Sequence, residues 1–154
     1  MLELAALPER GRPLPDVEFA AGRLLANNPR LAPDRARWLA EHCVERAGDG
    51  ALYWKFDQRV GQVWLGSDPE RNRANWRAVA CPTLVITAGH ADEYWRGQMP
   101  IPNWDGRFGE ADLADRLACF PDVRHAHIEN AGHMVHFDAP DALVALLDAF
   151  LTQA

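Results

Sequence analysis

Pro82-Thr83-Leu84-Val85-Ile86-Thr87-Ala88-Gly89-His90-Ala91-Asp92 and Ile128-Glu129-Asn130-Ala131-Gly132-His133-Met134-Val135-His136 are the two stretches that decide the fold. Each reads as a β-strand that stops at a glycine and delivers a polar side chain just beyond it. After the first strand, Thr83 to Ala88, that side chain is Asp92, three residues past Gly89. After the second, Arg124 to Glu129, it is His133, directly following Gly132. Phe108 to Phe120 between them reads as a helix whose buried face is Leu113, Ala114, Leu117 and Ala118. Strand, crossover helix and strand make a βαβ unit, which places two parallel strands with their C-terminal ends at one edge. Catalytic groups and ligands of open α/β sheets collect along that edge. Asp92 and His133 are therefore expected to meet in space.

Outward from this core, Gly89 to Arg107 reads as a long loop, rich in Gly and Pro and packed down by Trp95, Met99, Ile101 and Trp104. Loops of that length in compact domains are usually functional. The closing helix starts near Pro140 and carries Leu143, Leu146, Leu147, Phe150 and Leu151 on one side. Upstream, Arg71 to Ala80 is a helix entered through Asp68-Pro69. The first helix runs from an N-cap at Asp16 to about Asn27, with Val17, Ala20, Ala21, Leu24 and Leu25 on its buried face. The second runs from Pro33 to about Ala47, with Ala36, Leu39, Ala40, Cys43 and Val44 as its stripe and Gly48 as its stop. Asp49-Gly50 is a turn, and the aromatic segment Ala51 to Asp57 follows as a short strand or extended segment.

The Pro-Thr-Leu-Val-Ile strand, the Gly-x-x-Asp after it, and Asn-Ala-Gly-His-Met followed by the apolar closing helix resemble the C-terminal end of the α/β-hydrolase superfamily, over residues 76 to 151. The resemblance implies an α/β fold class: a partial α/β-hydrolase fold, with a helical cap-like segment and lead-in helix over 1–80 and the C-terminal part of the core over 81–154. It further implies that Asp92 is the triad acid, which orients the histidine, and that His133 is the triad base. Glu93 is the alternative acid. A neutral imidazole acts as a base only when its other ring nitrogen is held as a donor, and a neighbouring carboxylate supplies that hold.

The family's nucleophile elbow, Gly-x-Ser-x-Gly, does not occur in this sequence. The single serine, Ser67, has Leu65 and Pro69 where an elbow has glycines, and Asp68-Pro69 reads better as a helix start. The chain is therefore expected to start downstream of the elbow and of the oxyanion-hole amides. It would act on a small-molecule ester, amide or related apolar substrate only with a nucleophile from outside. The alternative is a degenerate remnant serving as a binding or interaction module. Trp38, Tyr53, Trp54 and Phe56 could line a site under the cap-like segment, although packing between helices accounts for them as well.

His125, His127, His133 and His136 raise the question of a metal. Positions 125 and 127 alternate onto one face of a strand, away from the loop at its end, so no metal and no cofactor is expected. A net charge of −6 gives no reason to expect nucleic acid or an anionic membrane as partner. No apolar run reaches the ~18 residues of a membrane span. Three scattered cysteines, Cys43, Cys81 and Cys119, fit reduced thiols in the cytoplasm. Alone, the chain is expected to expose one unpaired edge of its apolar strand, which would recruit the missing N-terminal half or a second copy.

Overall fold

The computed structural model describes residues 11–57, 59–60, 68–98 and 105–153. The chain divides into two compact units at Asp68 and Pro69. Ser67, Met99, Ile101 and Trp104 lie outside the described residues.

The first unit is a helical pair and a β-hairpin. Helix α1 (Val17–Asn27) is capped by Asp16, whose carboxylate accepts from the Phe19 amide at 2.7 Å. Helix α2 (Pro33–Cys43) begins with proline at its first turn, where the missing amide costs nothing. Ala20, Ala36 and Ala40 are wholly buried, and Leu31 and Ala21 nearly so. These small side chains let the two helices approach closely. Helix α2 stops at Cys43, short of Ala47, because Val44 turns to extended backbone and opens strand β1 (Val44–Arg46). That strand pairs antiparallel with β2 (Leu52–Trp54), and Leu14 bridges to Leu52. The turn between them needs positive φ at Gly50 (84°), so Asp49-Gly50 closes a hairpin and Gly48 lies inside it, not at a helix end. β-Branched Val44 is buried in the hairpin, where strand pairing suits it better than a fourth helical turn.

The second unit opens with α3 (Pro69–Arg77) and contains a two-stranded parallel sheet. Strand β3 (Thr83–His90) pairs with β4 (Val123–Gly132) in register from Thr83↔Val123 to Ala88↔Ile128. An irregularity after Ala88 shifts the pairing to His90↔Gly132. Gly89 is required there, because a Cβ would overlap the carbonyl oxygen of Glu129. Both strands thus run further than the sequence pattern indicated. The connection between them holds α4 (Ala91–Gln98) and α5 (Glu110–Leu117), so the first part of the expected loop is helical. The buried side of α5 is Leu113 and Leu117, whereas Ala114 and Ala118 are exposed. After β4 come a single turn, α6 (Val135–Asp138), and the closing helix α7 (Pro140–Leu151). Of its predicted stripe, Leu143, Leu146 and Phe150 are half-buried, but Leu147 and Leu151 face solvent.

Candidate functional site

The parallel pairing brings the C-terminal ends of β3 and β4 to one edge, with Asp92 two residues beyond β3 and His133 one beyond β4. Both line a cavity of about 670 Å³, within the size range of small-molecule sites. Its apolar wall is Ile86, Trp95, Phe108 and Leu113.

His133 is fixed from two directions. The Gly132 amide donates to Asp138 Oδ2 at 2.7 Å, which pins the turn that presents the histidine. The imidazole stacks on Tyr94 (centroids 4.5 Å apart, 15° between planes) and meets the edge of Trp95 at 4.7 Å. Burial pushes the His133 pKa below the ordinary histidine value, and the nearby His136 lowers it further. Both causes disfavour the imidazolium, so His133 is held in the neutral form that can accept a proton.

Asp92 sits in the first turn of α4, where a carboxylate complements the helix dipole. It is 5% exposed, and its charge is compensated by arginines. Arg96 Nη2 lies 2.9 Å from Oδ2, and Arg107 Nη2 is 3.3 Å from Oδ1 without hydrogen-bond geometry. Gly106, at φ 85°, sets Arg107 there, since a Cβ would come within 2.8 Å of the Asp92 carbonyl oxygen. Among the described residues no hydrogen bond joins Asp92 to His133. The two share a cavity, and the carboxylate is directed at guanidinium groups. Glu93, the alternative acid, is 3.7 Å from His90 Nδ1.

The sequence reading missed Tyr94, Arg96, Arg107 and Asp138. Arg96 was findable: Asp92 and Arg96 stand four apart, the spacing of a helical ion pair, once 91–98 is read as a helix. His125 and His127 also correct the expectation, because both line the same cavity as His133. Thr87 Oγ1 lies 2.8 Å from His125 Nε2 and 2.9 Å from His127 Nδ1, and His127 Nε2 lies 3.1 Å from Glu129 Oε2. An ionised Glu129 only accepts, so His127 donates to it from Nε2. A neutral His127 then accepts from Thr87, and His125 donates to Thr87. These side chains satisfy one another as a polar wall. Among the described residues no group of three or more His, Cys, Asp or Glu is arranged to hold a metal ion.

Trp38 and Phe56 are exposed, while Tyr53 and Trp54 are half-buried, so none of these four aromatics is a core residue. The described cysteines are free thiols. No described helix is long and apolar enough to cross a membrane.

No protein-family model matches this chain. No curated protein matches it in sequence. Solved structures do match in fold. The chain superposes on E-2-(acetamidomethylene)succinate hydrolase with a TM-score of 0.68 and 19% identity, over 92% of this chain and 47% of that one. It superposes on a thioesterase domain from the curacin biosynthetic pathway at 0.67 and 19% identity, over 93% and 47%. For an esterase of Mycobacterium tuberculosis the values are 0.71 and 19%, over 92% and 43%. At such identities the likeness is one of fold: a partial α/β-hydrolase fold, spanning about half the length of the structures it matches.

Proposed function

We propose that this chain works in the cytoplasm as the carboxyl-terminal part of an α/β-hydrolase, cleaving a small ester, amide or related apolar substrate. The observation that carries the reading is the meeting of Asp92 and His133 in one cavity, at the C-terminal ends of two adjacent parallel strands. His133 is the base. It takes the proton of a nucleophile supplied from outside this chain and gives it to the departing alcohol or amine as the acyl group passes to that nucleophile; water deprotonated by His133 then releases the acid and the nucleophile regains its proton. Its depressed pKa supports the role, since a base must be unprotonated at working pH. Asp92 orients the imidazole, which requires its carboxylate to exchange one arginine for the histidine N–H when the site is complete. The apolar part of the wall, Ile86, Trp95, Phe108 and Leu113, favours an apolar acyl group.

A non-catalytic binding module is the second reading, and one observation favours it: the Asp92 carboxylate faces Arg96 and Arg107. Hydrolysis of short-chain aryl esters and anilides by the protein purified from its native cells separates the two. The hydrolase reading expects turnover that falls about 10⁴-fold in His133→Ala with unchanged circular dichroism. Equal rates for the two proteins would overturn it and leave the binding module.

A further inference from the structure

We infer that Thr87, His127 and Glu129 form a second site, in which the threonine hydroxyl is a nucleophile toward small activated esters. The site lies within this chain and needs neither a nucleophile from outside it nor the pair Asp92 and His133. Its geometry follows from the register of the sheet. Thr87 is the Cα partner of His127 across the parallel pair, and residues 125, 127 and 129 alternate onto one face of β4. One strand therefore presents a hydroxyl to a row of two imidazoles and a carboxylate on the other. All four side chains line the cavity already described.

The protons of that row are placed by its one obligate acceptor. Glu129 Oε2, 3.1 Å from His127 Nε2, takes the ring N–H, so His127 Nδ1 carries a lone pair. The Thr87 hydroxyl donates to that lone pair across 2.9 Å, in preference to the Ala126 carbonyl at 3.5 Å. Carboxylate, imidazole and hydroxyl thus stand in the order that activates a hydroxyl: a base within hydrogen-bond reach, itself oriented by a third group. His125 Nε2 donates to Thr87 Oγ1 from 2.8 Å. A hydroxyl oxygen has two lone pairs; His125 occupies one, and the other is left for attack.

Thr87 Oγ1 attacks the carbonyl carbon of the ester as His127 Nδ1 takes its proton, and the carbonyl π pair moves onto oxygen. The His125 N–H then turns from Oγ1 to the oxyanion beside it. As the intermediate collapses, the bond to the leaving alcohol breaks and His127 gives that alcohol the proton. Water deprotonated by His127 next attacks the acyl-threonine, and Thr87 regains its proton as the acid departs. Glu129 stabilises the imidazolium formed in both halves. His127 and Glu129 are 45% and 77% exposed, so water reaches the base. Ile86, Phe108 and Leu113 offer apolar surface to the acyl group. A secondary alcohol is a weak nucleophile, which restricts the site to esters with good leaving groups.

The test is acylation of the full chain by 4-nitrophenyl acetate, quenched in acid, with the modified position read by peptide mass. The unaltered protein is compared with Thr87→Val, Thr87→Ser and His127→Gln, each first matched to it by circular dichroism. Valine is β-branched like threonine and keeps the strand, and Thr87→Ser keeps the hydroxyl. The expected result is an acetyl ester on Thr87 that appears with a burst of nitrophenolate. It should persist at position 87 in Thr87→Ser, be absent there in Thr87→Val, and form about 10²-fold more slowly in His127→Gln, the loss of a general base. Acetylation confined to cysteine, lysine or histidine would overturn the inference. So would an adduct at position 87 that forms as fast in His127→Gln, and either result would leave the row as side chains that only satisfy one another. Because the readout is the modified position, hydrolysis through His133 neither mimics nor masks the outcome.

Discussion

The two units solve the problem of burial differently. Among the described residues of the first, Leu14, Ala20, Ala21, Leu31, Ala36, Ala40, Val44 and Leu52 are buried. Among those of the second, the buried apolar side chains are Cys119 and Ala131, although its strand and final helix are the more apolar elements. The first unit has a centre of its own: two helices joined by small residues, with a hairpin whose turn is set by Gly50. The second is a sheet of two strands, and two strands leave much of their surface uncovered. Its most buried polar group, Asp92, is held by ion pairs.

That contrast can be broken by substitution. The largest effect is expected from Gly89→Ala, where the new methyl overlaps the Glu129 carbonyl and separates the strands of the second unit. A loss of about 3 kcal/mol in urea titration is expected, at the upper end of overpacking costs. Exchange should rise over 83–90 and 123–132 and stay unchanged over 17–54. Ala36→Leu tests the first unit in the same way. It inserts three carbons into a fully buried position and should cost about 2 kcal/mol, with exchange rising in α1 and α2. Equal opening of both units in either variant would show that they share one cooperative core. Asp16→Ala removes the cap on Phe19 and should lower stability by about 1 kcal/mol, confined to the first unit.

Acid acts on the second unit through His133. Its folded-state pKa lies below the unfolded one, so between those two values the unfolded chain binds more protons and stability rises with pH. The contribution is complete above the ordinary histidine value and fades as pH falls through and below it. Urea midpoints at pH 5.5 and 7.5 should differ more for the unaltered protein than for His133→Gln. An unchanged difference would mean that the desolvation is not felt. The smallest effect is expected from Val144→Lys, under about 0.5 kcal/mol, because the side chain already faces water in this chain.

Periodicity was a good guide where one element buried one face by itself. The Asp16 cap and the Ala20/Ala21 and Ala36/Ala40 pairs were legible because local spacing and local packing agree. The boundary of α2 was not, since Val44 fits a helical stripe and a strand equally well, and the partner strand 52–54 decided between them. The register of Asp92 with His133 was legible from the βαβ order alone. Of the partners of Asp92, Arg96 was legible at i+4 once the segment is helical, but Arg107 was not, because it reaches Asp92 from the far side of a long connection.

What the sequence determined by itself is the order of elements: a parallel pair of strands, a glycine near the end of each, and an acid and a histidine delivered to one edge. These follow from backbone preferences and from patterns within a few residues. Only the tertiary structure decided what those two residues touch. His133 lies between Tyr94 and Trp95, Asp92 is turned toward two arginines, and His125 and His127 share the cavity. The reason is physical: strand pairing fixes where a Cα goes, but the direction of a charged side chain is set by the opposite charges around it, here one from the same helix and one from a distant segment.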